Sequence, residues 1–484
     1  MNKKRTLALL LALLMLSSGM YSCSDTPADQ SEETKKETTD NAVTPSGETE
    51  TEEYSILSTL PEYNFNGATI TALAEPNSWW QCTTLAAEEM TGETLNDAIF
   101  DRNSAFMEGY QVDFQVIEST GITSDIRTAV SSGDTVYDFA APSLDVCAAL
   151  AGEDQIINLN TIESIDFTNE AWDQNAVKYF SIANKLYYGV SDISLGKNET
   201  TWIYFFNKNL LNEYGLENPY DLVREGKWTF DKSLELMAAA SHDTNGNGEP
   251  DEGDRFGLET HDTNYYALMI AAGQPFSTKD ETEDIPVVNV GSEMYVTVYD
   301  KIKDFFTDKT QTVINAKGEN FIAGDALLSG QVMGCVRLFR EMEDDFGIIP
   351  VPKYDEAQSQ YYSYMIPYEV HAAIIPVSAA DAERSGAAIQ ALSILSAHYL
   401  TPAYYETVIT GKGLRDMDSW EMLDLILDSA IYDLGRMYDW GGFASGIASS
   451  LYNKRELSSS YKRKAKAIQS SLEETIENIK NNKN

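Results

Sequence analysis

Beyond residue 54, apolar positions follow two rhythms. Short apolar or alternating runs at 68–73, 112–117, 137–141, 186–193, 202–206, 287–290, 346–351 and 371–377 read as strands. Three- and four-residue steps read as helices. Thr94 stands before Leu95, Ala98, Ile99 and Phe106, with Asp97 three residues after it, and so predicts a capped helix. Thr229 does the same for Leu234, Met237 and Ala238. Val298, Ile302 and Phe305 mark a helix over 294–306, and Tyr461, Ala465, Ile468, Leu472, Ile476 and Ile479 mark a terminal amphipathic one. Strands alternating with helices predict an α/β fold with parallel sheets. The order divides into two lobes, 54–185 with 312–360 and 186–311 with 361–484, and the region from 379 onward is mostly helical. Apolar stretches at 321–328 and 332–336 read as a return to the first lobe. Pro350 and Pro352 put the run at 346–351 on a sheet edge or a crossing. A cleft between the lobes, at the carboxyl ends of strands, is where such a fold binds its ligand.

The first 53 residues break both rhythms. Lys3, Lys4 and Arg5 precede an apolar run at 7–16 that is too short to span a bilayer, so 1–22 reads as a secretory signal. Cys23 follows at the position where bacterial lipoprotein signals carry the acylated cysteine, although Tyr21 is larger than usual there. Residues 23–53 are acidic and nearly devoid of apolar side chains, as expected of a disordered tether. Cys82, Cys147 and Cys335 read as small buried side chains, with one disulfide as the alternative.

Charge narrows the partners. A formal net charge of −41 excludes a nucleic-acid surface and disfavours anions held by bulk charge. Nucleotide, serine-hydrolase and zinc-protease motifs are absent, and four histidines are scattered. A glycosidase carboxylate pair stays open as an alternative, because 76 acidic residues make some pairs inevitable.

One stretch combines three features. Trp202-Ile-Tyr-Phe-Phe-Asn207-Lys208 is a buried strand with a polar exit. Trp228-Thr229 opens a helix, and 243–258 is a loop of Asp, Asn and Gly ending in Phe256-Gly257. In that order the chain resembles the extracellular solute-binding lipoproteins of carbohydrate ABC transporters, the maltose-binding-protein type. The resemblance implies a two-lobed periplasmic-binding-protein-like fold of type II, a monomer without enzymatic chemistry. It implies an oligosaccharide ligand, permease subunits as partners and a lipid anchor on the outer face of the cytoplasmic membrane.

Within the loop, Asp243, Asn245, Asn247, Glu249, Asp251 and Asp254 fall near the ligand positions of a calcium loop, and Gly248 takes its turn. Asp254 replaces the usual closing glutamate, a role that Glu252 could fill. The expectation is a structural Ca2+. For the sugar, aromatic faces that stack and polar groups that read hydroxyls are needed. The resemblance puts them on loops after strands. Trp79, Trp80 and Trp440 lead the candidates, with Asp138, Ser143, Asp192, Trp202, Asn207, Tyr265, Arg337, Glu369 and Arg436.

Overall fold

A computed structural model of the chain describes residues 56–76, 85–251, 253–314, 317–409, 417–452 and 455–484. The signal, Cys23, the tether, Trp79, Trp80, Cys82 and Glu252 lie outside the described residues.

The strands are β1 (Thr69–Ala74), β2 (Asp113–Glu118), β3 (Phe139–Ala141), β4 (Trp202–Asn207), β5 (Phe256–Thr260), β6 (Ser277–Asp280), β7 (Ile285–Val288), β8 (Thr312–Ile314), β9 (Ala326–Val332), β10 (Phe346–Ile349), β11 (Ser363–Tyr364) and β12 (Ala430–Ile431). The helices that matter for the site are α1 (Thr94–Tyr110), α2 (Ile122–Ser132), α3 (Leu144–Gly152), α4 (Gln174–Phe180), α5 (Phe230–Ala240), α6 (Asn264–Ala271), α7 (Ala382–Ile409), α8 (Met417–Asp428), α9 (Leu434–Tyr438) and α10 (Leu457–Asn481).

The first lobe is built on the parallel sheet β2-β1-β3. Residues 371–376 extend it through antiparallel bridges from Ala140 to Ile374 and Ser143 to His371, and Gly189 bridges Ala373 beyond them. α1 and α7 pack together over this sheet. The second lobe holds the sheet β10-β4-β9-β5-β8, with β4 antiparallel to both neighbours and β5 parallel to both of its own. All six residues of β4 are buried. Phe205 meets Phe339 at 4.8 Å and Phe346 at 5.8 Å between ring centroids, edge to face. Each such ring removed from water contributes roughly 1.5–3 kcal/mol.

Two expectations change. Residues 312–360 do not return to the first lobe: β8, β9 and β10 all join the second sheet. Residues 371–376 and α7, expected in the second lobe, complete the first. A fully buried strand such as β9 shows no alternation, so its pattern says that it is buried and not beside which partner. The edge position of 346–351 holds, since β10 ends the sheet. Thr229 caps α5 by accepting from Lys232 N–H. At α1 the cap is Glu93, one residue before the expected Thr94, and its carboxylate accepts from Asn96 N–H. Asp97 turns back to accept from Thr91 N–H at 2.8 Å. Cys147 and Cys335 are free and buried. Among the described residues no helix is long and apolar enough to cross a membrane.

Candidate ligand-binding cleft

Before a last crossing between α7 and α8, the chain passes between the lobes at 191–201 and again at 350–370. The two passages touch: a Cβ added at Gly196 would lie 2.8 Å from the Glu369 carbonyl oxygen, so glycine permits the close approach. Around this contact, groups from both lobes converge.

On the first-lobe side, Glu75 follows β1 and accepts from Ser143 N–H at 3.4 Å, at the start of α3. Its other oxygen lies 3.2 Å from His371 Nε2. Asp145 is exposed in the first turn of α3. Glu369 is half-buried nearby. Burial, and then the charges of Glu75 and Asp145, push its carboxyl up to about 7. A cavity of about 570 Å³ opens beside this group, lined by Glu75, Pro76, residues 120–124, Arg127 and Val146.

On the second-lobe side, α9 presents Arg436. Its guanidinium lies 4.5 Å from the Tyr266 ring centroid and 5.5 Å from that of Tyr368. Such stacking orients the planar fork and leaves its edge donors for a ligand. Tyr266 on α6 is held by a short hydrogen bond to the Ala444 carbonyl and stacks on Tyr364 at 5.9 Å. Tyr368 is 41% exposed and is the one aromatic residue among the exposed large apolar side chains of the described residues. A larger groove of about 650 Å³, between α4 and α8, contains none of these groups.

Of the residues expected from the sequence, Ser143, Glu369 and Arg436 stand in this cluster. Others do not, and the reasons are structural. Trp202 is 2% exposed, and its indole N–H donates to Asn264 Oδ1 at 3.0 Å inside the second sheet. Asn207 is buried and caps the next turn of helix, accepting from Asn209 and Leu210 N–H. Tyr265 is buried with its hydroxyl 3.4 Å from that of Tyr295. Trp440 is fully buried: it stacks on Tyr438 and donates to Thr475 Oγ1 at 3.0 Å, packing α10 in place. Asp138 accepts from Thr71 N–H at 2.9 Å and from Arg384 at 2.6 Å, tying β1 to α7. Asp192 accepts from Thr401 Oγ1 at 2.7 Å. Arg337 pairs with the buried Glu199 at 2.5 Å. Sequence reasoning passed over Glu75, Tyr266, Tyr368 and His371. Tyr368-Glu369 did carry a signal, a polar aromatic pair between two apolar runs.

The acidic loop is closed by a bridge between His242 and Arg255. Asp243 accepts from Gly246 N–H at 2.6 Å and Gly248 N–H at 2.8 Å, which holds its carboxyl below the usual range. Asp251 accepts from the Asn245 amide at 2.7 Å and from that of Asn247. Asp254, buried, accepts from Thr244 N–H at 3.0 Å. The donors are the hard oxygens that Ca2+ requires. Their arrangement is closed by internal hydrogen bonds, and among the described residues no three His, Cys, Asp or Glu side chains gather as a metal site. A cation would have to displace the amide bonds of Asn245 and Asn247 from Asp251.

Comparison with known proteins follows the same lines. The family of bacterial extracellular solute-binding proteins matches residues 86–373. No curated protein matches the sequence. Among solved structures, the fold is similar to the cyclic alpha-maltosyl-1,6-maltose binding protein from Arthrobacter globiformis, with TM-score 0.58 at 16% identity over 84% of this chain and 98% of that one. An ABC substrate-binding protein from Listeria monocytogenes in complex with cycloalternan gives 0.53 at 13% identity, over 85% and 99%. UgpB from Mycobacterium tuberculosis in complex with glycerophosphocholine gives 0.54 at 14%, over 78% and 95%.

Proposed function

Because the chain belongs to the bacterial extracellular solute-binding protein family, we propose that it captures an oligosaccharide between its lobes for delivery to an ABC importer. The observation that carries this reading is the Tyr266–Arg436–Tyr368 stack at the lobe junction. Tyr368 offers a ring face to the apolar side of a sugar, while Arg436, Glu369 and Glu75 can bond its hydroxyls. The surrounding carboxylates and the net charge of −41 favour a neutral ligand over an anionic one. Of the similar structures, one is in complex with cycloalternan and another is a cyclic alpha-maltosyl-1,6-maltose binding protein, which supports the same class.

Capture takes place by closing the lobes over the ligand, with no covalent step. The closed form then docks on permease subunits as a monomer. Cys23 carries the lipid that keeps the receptor at the membrane, with 23–53 as its tether. The loop 243–254 holds a Ca2+ that stiffens the second lobe, through Asp243, Asn245, Asn247, Glu249, Asp251 and either Glu252 or Asp254. The alternating oxygen donors support that assignment; the internal hydrogen bonds of the loop compete with it.

A thermal-shift screen against a panel of neutral, anionic and amino sugars tests the main reading. A neutral oligosaccharide should raise the melting temperature, with little dependence on salt. Binding only to the anionic or amino sugars, or release of reducing ends from the panel, would defeat it. For the anchor, Cys23→Ala expressed in a bacterium that processes lipoproteins should move the protein from membrane to soluble fraction.

A further inference from the structure

The cleft is not the only junction between the lobes. Residues 182–185 form a tight turn that leads into a first-lobe segment in which Gly189 bridges Ala373; the strand expected over 186–193 is reduced to such isolated bridges. Ile182 and Lys185 exchange backbone hydrogen bonds at 3.0 and 3.1 Å. Between them Ala183 and Asn184 both take left-handed backbone, φ 53° and 62°. Asparagine tolerates that region; alanine has no special reason to.

The tip of this turn rests on the second lobe. Asp284, at the end of the β6–β7 hairpin, is itself left-handed at φ 53°. Ala183 N–H donates to its carbonyl at 2.7 Å, and Asn184 N–H donates to its carboxylate at 2.7 Å. Ser181 Oγ donates to the other carboxylate oxygen at 2.9 Å. Lys279 on β6 pairs with Asp284 at 2.5 Å and donates to the Lys178 carbonyl and Ser181 Oγ, each at 2.7 Å. The two side chains are 7% and 15% exposed, so the joint is largely dry.

Each half of the joint is tied to the cleft. At the root of the hairpin, the buried Asp433 carboxylate accepts from Phe276 N–H, Ser277 N–H, Ser277 Oγ and Gly435 N–H. Gly435 immediately precedes Arg436. On the other half, Gly189 N–H donates to the Ala373 carbonyl at 3.1 Å and holds its segment against residues 371–376. Tyr188 packs on Phe180 at 4.9 Å between ring centroids, and Phe180 meets Tyr432, four residues before Arg436, at 4.6 Å.

We propose that Asp284 is a positioning residue for ligand capture: by gripping the 181–184 turn it sets the angle at which Arg436 faces Glu75 and Asp145. The two-residue turn between Ile182 and Lys185 demands left-handed backbone at Ala183 and Asn184, and the bonds to Asp284 add a second hold on it from the other lobe. Breaking this grip would free the two halves of the joint to turn against each other, which is how a distant contact biases a hinge. The inference rests on the cleft being the binding site but not on which sugar fills it.

Small-angle scattering of the ligand-free chain is the test. Asp284→Ala should increase the radius of gyration. Asp284→Asn, which keeps an accepting oxygen and tolerates positive φ, should restore most of the wild-type curve. Lys279→Gln should shift it in the same direction by less. With maltotetraose as probe, Asp284→Ala should raise the dissociation rate severalfold and change the association rate little. A role confined to local packing would lower the melting temperature and leave the scattering unchanged. Unchanged scattering in folded Asp284→Ala and Lys279→Gln overturns the inference. Failure of the wild type to bind any sugar overturns the proposed function instead and leaves the scattering result in force.

Discussion

Tyr265 and Tyr266 are neighbours on α6, and they belong to different parts of the molecule. Tyr265 points into the second lobe and meets Tyr295 and Tyr299. Tyr266 points to the lobe junction and carries Arg436 on its ring. The same division separates Trp202 and Trp440, both buried, from Tyr368, which is exposed. Aromatic residues inside the lobe make its core; aromatic residues where the two passages of chain meet are free to make a site. The two sets should therefore fail differently.

The largest effect is expected inside. Trp202→Ala or Trp440→Ala should cost about 3–5 kcal/mol of stability, read from denaturant unfolding. If Trp440→Ala instead kept its stability and lost ligand, the division would be misdrawn. The proposed calcium loop would be an intermediate case, an exposed segment acting on the interior. At a hundredfold excess over its Kd the ion would add about 2.7 kcal/mol. Chelator should lower the melting temperature accordingly, and Asp243→Ala with Asp251→Ala should abolish the response. At the junction, Tyr368→Ala should cost about 2 kcal/mol of sugar binding, as an aromatic anchor does. Its unfolding midpoint should stay close to that of the wild type, because the ring covers little core.

A last effect concerns Glu369 and depends on pH. Its folded pKa of about 7 lies above the ordinary glutamate value. An acid raised in this way binds its proton more tightly when folded, so it destabilises the fold above pH 7. That cost fades as pH falls toward the unfolded value and is absent below it. Glu369→Gln should be more stable than the wild type at pH 8, with the advantage shrinking on the way to pH 5. A constant difference across that range would place the carboxyl outside the junction.

What could be read from the sequence was what neighbouring residues settle among themselves. Thr229 as a cap, the three-and-four spacing of Ile468, Leu472 and Ile479, and the all-apolar β4 are local, and they appear in the structure. The partner of β9 and the lobe of 371–376 depend on pairings between distant segments. The choice between Tyr265 and Tyr266 was equally hidden. α6 is buried on nearly every side, so no polar face marks which tyrosine looks out. Glu75 and Tyr368 become recognisable only when both passages between the lobes are in view.

The placement of residues 371–376 also bears on how the chain is made. They bridge β3, yet they emerge only after every strand of the second sheet has been synthesised. At roughly 5–20 residues per second, the wait is on the order of ten seconds to a minute. Throughout that interval the amino-terminal third of the nascent chain lacks the segment that bridges β3, and pairing across so long a separation is slow in any case. A polypeptide that cannot finish its first lobe until its last third exists remains loose during synthesis, the condition in which a chain can be threaded through a narrow export channel.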